Sequence, residues 1–194
     1  MLENKKEFKL ISKKSHKSLL PNTLTIFGVC LGLSSIKFAL DTNYGMSVVA
    51  IAFAAILDTL DGRVARLVKG TSKVGKELDS LTDVISFGVA PSFVMYFWAV
   101  NEMGKIGWMF VLIYVVCCAL RLARFNLTAV DEAESWKINF FEGVPSPAAA
   151  GLILLPLILN LSNLIQFENY VVLSSVAILT TSMLMVSKIP TYSL

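Results

Sequence analysis

Apolar residues dominate six stretches of the chain, near residues 20–40, 45–67, 79–101, 106–125, 147–165 and 169–187, and polar residues collect between them. Each stretch approaches the ~20 residues that carry an α-helix across ~30 Å of hydrocarbon. The pattern predicts an all-α integral membrane protein of about six transmembrane helices. Pro21-Asn22-Thr23 suits a helix start, because Pro is tolerated in a first turn and Asn or Thr can cap it. Between the second and third stretches lie Lys69, Gly70, Thr71, Ser72, Lys73 and Gly75, which is turn chemistry and predicts a helical hairpin. Pro147 is placed to open the fifth helix, and Pro156 falls inside it.

Composition agrees with the pattern. The chain is 16% charged and 55% hydrophobic, whereas a soluble domain carries about 25% charged residues. The placement of charge orients the helices. Of the 17 Lys and Arg, all but Lys37 and Lys105 fall in the N-terminal segment, the 63–76 connection, the 121–137 connection or at Lys188. Positive charge marks the cytoplasmic side, so both termini are expected there. Residues 1–18 interleave six lysines with Leu2, Phe8, Leu10 and Ile11. They read as a basic juxtamembrane segment, either an amphipathic helix on an anionic surface or a basic tail. His16 is the single histidine and belongs to that flank; Cys30, Cys117 and Cys118 lie in apolar runs and read as small packing residues.

Against this background the stretch from Asp58 to Asp83 stands out. Asp58 and Asp61 are three apart and Asp79 and Asp83 four apart, so each pair shares a helix face. Across a hairpin the two faces can meet. Ionisable groups cost at least ~2.5 kcal/mol each at the centre of a membrane helix. Converging carboxylates cannot all stay charged without cations, and an all-oxygen set suits Mg²⁺, Mn²⁺ or Ca²⁺ rather than zinc. Two such ions would leave a positive field for phosphate, the arrangement used for displacement at phosphorus. Gly62 allows close approach to the helix backbone, and Arg66 offers a forked donor. Two other readings use the same residues: buried ion pairs of Asp58 or Asp61 with Arg63 or Arg66, and the ion pathway of a divalent-cation transporter. At 1.5 Å per residue, Asp58 lies ~20 Å beyond Gly45, which puts the carboxylates in the cytoplasmic third of the core.

The full pattern is Asp58-x2-Asp61-Gly62-x2-Ala65-Arg66-x8-Gly75-x3-Asp79-x3-Asp83. It resembles, position for position, the signature of the CDP-alcohol phosphotransferases. The resemblance implies a transmembrane catalytic domain over residues 19–194 and two divalent cations, Mg²⁺ or Mn²⁺. It implies that Asp58, Asp61 and Asp79 bind metal and that Asp83 binds the second ion and serves as general base. It assigns Gly62, Arg66 and Ser72 to the nucleotide and pyrophosphate of a CDP-linked donor. The run from Pro21 to Thr25 is similar to one that family members carry near the cytidine, which adds Asn22. Homodimers are usual in the family, and a prokaryotic inner membrane is the implied location.

The acceptor alcohol is narrowed by three further stretches. Glu77 to Pro91, Arg121 to Asn126 and Glu142 to Gly151 resemble members that transfer a phosphatidyl group from CDP-diacylglycerol to L-serine, giving phosphatidylserine and CMP. Sister acceptors, glycerol 3-phosphate or inositol phosphate, remain alternatives. Arg121 and Arg124 share a helix face and are candidates, with Ser146, for binding serine or phosphate; Glu142 is a candidate acceptor for an ammonium. Asn126-Leu127-Thr128 matches a glycosylation sequon but faces the cytoplasm in this topology.

Overall fold

A computed structural model of the protein describes residues 22–68, 73–128, 140–162, 168–187 and 190–192. The basic segment 1–18, His16 and Ser72 lie outside the described residues, as do the side chains of Arg66 and Glu142.

The described chain is helical apart from one short ribbon. Helix α1 spans Asn22–Leu40, α2 Tyr44–Val68, α3 Lys73–Asp83, α4 Ala90–Trp98, α5 Lys105–Thr128, α6 Ser146–Leu161 and α7 Tyr170–Val186. Strands β1 (Phe140–Glu142) and β2 (Pro190–Tyr192) pair antiparallel, with Phe140 opposite Tyr192. A π-helical turn, Val84–Val89, joins α3 to α4 without a break. The third predicted span is therefore α3, this turn and α4 together. It starts earlier than position 79, because Lys76 and Glu77 are exposed while Thr82 is buried and the helix is amphipathic from its first turns.

Four segments are long and apolar enough to cross a membrane: Asn22–Leu40, Tyr44–Val64, Gly75–Trp98 and Lys105–Asn126. Helices α6 and α7 are apolar but shorter, at 16 and 17 residues. Among the described residues they fall short of the spans expected at 147–165 and 169–187. Large apolar side chains such as Phe27, Phe53, Leu81, Val116, Leu155 and Met183 are exposed along the helices. On a water-soluble domain such a surface would aggregate; here it meets lipid. The protein is an integral membrane protein.

The interior is built mainly by α4 to α7. Helix α5 packs along α7, and α6 lies against both α4 and α7. Val94, Met95, Tyr114, Ile153, Leu157 and Ile178 are fully buried there. Small residues and hydroxyls bring the remaining helices close. A Cβ built on Gly32 of α1 would lie 2.8 Å from Ser86 Oγ and 3.0 Å from Ser86 Cα. Only glycine lets α1 approach the π-helical turn this closely. Without a hydrophobic drive between helices in lipid, such close packing supplies the association.

The two ends of the bundle differ in chemistry. Tyr44 Oη donates to the Phe97 carbonyl at 3.1 Å, Phe93 and Tyr96 pack edge-on against Trp108, and Trp98 packs against Tyr170. This aromatic end matches the belt expected at a membrane interface. Asp58, Asp61, Asp79 and Asp83 lie toward the other end, where α1, α3 and α6 begin and α2 and α5 finish.

Candidate active site

The carboxylates converge. Asp58, Asp61 and Asp79 each offer an oxygen, and these atoms lie within 4.8 Å of one another. The Asp83 side chain is in hydrogen-bond contact with that of Asp58. Asp61 is 3% exposed, and Thr25, 6% exposed, donates its hydroxyl to Asp61 Oδ2 at 2.7 Å. The Gly62 N–H also bonds the Asp61 carboxylate. Helix α1 thus supplies a partner for a carboxylate on α2, across 36 positions of sequence.

This donor set fits a hard divalent cation. Oxygen ligands at about 2.0–2.6 Å from an ion lie up to about 4–5 Å apart, which matches the spread of Asp58, Asp61 and Asp79. Asp83 Oδ1 is buried and has no hydrogen-bond partner among the described residues. Two carboxylates in contact share either a proton or a cation, so the cluster has an unmet need for positive charge. Among the described residues the ion pair is Lys37–Asp41, at the end of α1; the Arg66 side chain, a partner in the ion-pair reading, lies outside them.

Asp83 also borders a cleft of about 170 Å³, with Arg121, Phe125, Pro145, Ser146 and Pro147 around it. Drug-sized ligands occupy about 300–1,000 Å³, so this space suits a small polar molecule and not a nucleotide lipid. Arg121 Nη1 donates to Ser146 Oγ at 2.7 Å. Its Nε is buried and lacks a partner among the described residues. A guanidinium with an unused N–H beside a hydroxyl is a ready receptor for a carboxylate or phosphate.

The remaining sequence candidates divide. Asn22 opens α1 and is half-buried, one turn before Thr25. A side chain at Gly62 would meet nothing within 4 Å, so there is open space beside Asp61. Arg66 lies in the last turns of α2. Arg124 is turned elsewhere: its Nη1 donates to the Val186 carbonyl at 3.1 Å, tying α5 to the end of α7, and it is not among the cleft-lining residues. Two contributors escaped sequence reasoning. Thr25 stands one turn after Asn22 in the run from Pro21 to Thr25, and nothing local in the sequence marks its hydroxyl as a partner for Asp61. Asn126, discounted as a sequon, donates Nδ2 to Ser80 Oγ at 2.9 Å and so fixes α5 beside Asp79.

Comparison with known proteins places the chain. The family model for CDP-alcohol phosphatidyltransferase matches residues 18–187. A CDP-diacylglycerol–serine O-phosphatidyltransferase of Mycobacterium leprae is 41% identical over 173 residues, covering 89% of this chain and 57% of that protein. The Helicobacter pylori protein of that name is 43% identical over 142 residues, covering 73% of this chain and 58% of its own length. The Bacillus subtilis one is 35% identical over 170 residues, with 88% of each chain covered. The chain therefore spans less than two thirds of the length of the mycobacterial relatives.

Proposed function

From the fact that this chain belongs to the CDP-alcohol phosphatidyltransferase family, we propose that it transfers a phosphatidyl group from CDP-diacylglycerol to L-serine, releasing CMP. The observation that carries this reading is one residue with two neighbourhoods. Asp83 touches the carboxylate cluster through Asp58 and borders the small cleft that holds Arg121 and Ser146. A base at that boundary can reach an acceptor on one side and a donor phosphate on the other.

The roles follow from the chemistry of the side chains. Asp58, Asp61, Asp79 and Asp83 would hold two divalent cations, Mg²⁺ or Mn²⁺. When bound, these neutralise the pyrophosphate and the charge that develops on the departing CMP. Thr25 keeps Asp61 in one orientation. The open space beside Gly62 admits the pyrophosphate to the α2 backbone, with Arg66, Ser72 and Asn22 as its further contacts. Arg121 and Ser146 receive the carboxylate of serine, which directs the serine hydroxyl toward Asp83. Asp83 accepts the hydroxyl proton as the serine oxygen bonds to the lipid-attached phosphorus and the bond from phosphorus to CMP breaks.

The wider setting belongs to the same reading. Residues 19–194 form the catalytic domain and residues 1–18 a basic segment on the membrane surface. Lys and Arg crowd the end of the bundle that carries the site, which supports a cytoplasmic-facing site in a prokaryotic inner membrane. The working unit is a homodimer, as is usual in the family.

The test is product identification. Purified protein receives CDP-diacylglycerol, Mn²⁺ or Mg²⁺ and labelled serine, glycerol 3-phosphate or inositol phosphate in parallel. Phosphatidylserine with stoichiometric CMP is the expected outcome. A labelled lipid from another acceptor assigns Arg121 and Ser146 to a phosphate instead. Divalent-ion flux in sealed vesicles without CMP release would reject transfer altogether.

A further inference from the structure

The turn that follows Asp83 holds a feature that the proposed reaction does not use. Val84–Val89 is π-helical, and the Ala90 N–H bonds back to the Ile85 carbonyl, five residues earlier. A π turn fits one extra residue into a helix. At ~100° per residue, that extra residue rotates everything before it relative to everything after it. Asp79 and Asp83 lie before the turn; the buried face of α4, with Val94 and Met95, lies after it.

The sequence shows why the turn needs outside help. In an α-helix the Phe87 carbonyl would accept from the N–H of residue 91, and residue 91 is Pro. That carbonyl is buried with Phe87 inside the bundle. Tyr114 of α5, fully buried, donates its hydroxyl to it at 3.1 Å. The glycine next to it completes the contact: a Cβ on Gly88 would sit 3.1 Å from Cys118 Sγ and 3.3 Å from Cys118 Cβ, so α5 lies directly against the turn. A phenol oxygen in an apolar core is costly without a partner. This one is matched to the single carbonyl that Pro91 strips of its usual donor.

We propose that Tyr114 is a positioning residue for Asp83: by holding the Phe87 carbonyl it stabilises the π-helical turn, and the turn sets the direction in which Asp83 faces the carboxylate cluster. The inference rests on the reading of Asp83 as base and metal ligand. Tyr114 touches neither substrate nor ion.

The experiment compares wild type, Tyr114→Phe and a control, Ser174→Ala, which removes an equally buried hydroxyl from α7. Three quantities are read on the full chain: amide exchange across 84–89, Mn²⁺ affinity by paramagnetic resonance titration, and CMP release. Tyr114→Phe should speed exchange across 84–89 and weaken Mn²⁺ binding about tenfold, the scale for lost outer partners of metal ligands. It should lower kcat while KM for CDP-diacylglycerol stays within about twofold, because the donor's contacts are untouched. Ser174→Ala should do none of these. Pro91→Ala restores the missing N–H, and in that background Tyr114→Phe should have little further effect, the mark of a shared route. Unchanged exchange in Tyr114→Phe overturns the proposal, as does faster exchange with Mn²⁺ affinity intact. If wild type releases no CMP, the enzymatic reading fails, while exchange and Mn²⁺ binding still decide the role of Tyr114.

Discussion

Replacing Thr25 by Val isolates what α1 contributes to the carboxylate cluster. The substitution keeps the branched shape and removes the hydroxyl that donates to Asp61 Oδ2 at 2.7 Å. A hydrogen bond to a charged acceptor contributes about 1.5–3 kcal/mol and one to a neutral acceptor about 0.5–1.5 kcal/mol. With cations bound, Asp61 is charged; without them, carboxylates this close share protons. The bond is therefore worth about 1–1.5 kcal/mol more in the ion-bound state, or roughly tenfold in affinity. Thr25→Val should weaken Mn²⁺ binding by about that factor, read by paramagnetic resonance titration and by the ion concentration that half-activates CMP release. Thr25→Ser, which keeps the hydroxyl, should recover most of it. Wild-type ion affinity in Thr25→Val, with only thermal stability reduced, would refute the argument and leave Thr25 as a helix-packing residue.

Three further substitutions probe other parts of the site. Asp83→Asn should cut turnover by at least about 10²-fold, the usual contribution of a general base, while binding of CDP-diacylglycerol measured by titration largely survives. Arg121→Lys keeps the charge and loses the fork that reaches Ser146; KM for serine should rise about tenfold or more with KM for the donor unchanged. Gly32→Ala drives a methyl to 2.8 Å from Ser86 Oγ and 3.0 Å from Ser86 Cα. It should destabilise the protein by about 1–3 kcal/mol, visible as a lower midpoint of thermal unfolding in detergent.

What was legible in the sequence was what depends on local period and spacing. Among the described residues apolar runs located the helices other than α3, and carboxylates three and four positions apart announced two acidic faces. The candidate ligands and the motif that carries the likeness to the family all lie within one continuous stretch, Asp58 to Asp83, so no long-range information was needed. Helix ends were read less well. Helix α3 starts near Lys73 because its polar residues form an amphipathic face, which a search for apolar runs passes over.

The tertiary structure decided what depends on which helix lies beside which. Thr25 meets the Asp61 carboxylate and Tyr114 the Phe87 carbonyl across 36 and 27 positions of sequence, and no local period encodes such pairings. Arg121 and Arg124 are equivalent by spacing. Yet one bonds Ser146 beside Asp83 and the other bonds the last turn of α7, because three positions along a helix turn a side chain by about 60° and a close-packed bundle places different neighbours there. Residue types and their intervals determined the chemistry on offer; the packing of α1, α5 and α6 around the hairpin decided which side chains could reach it.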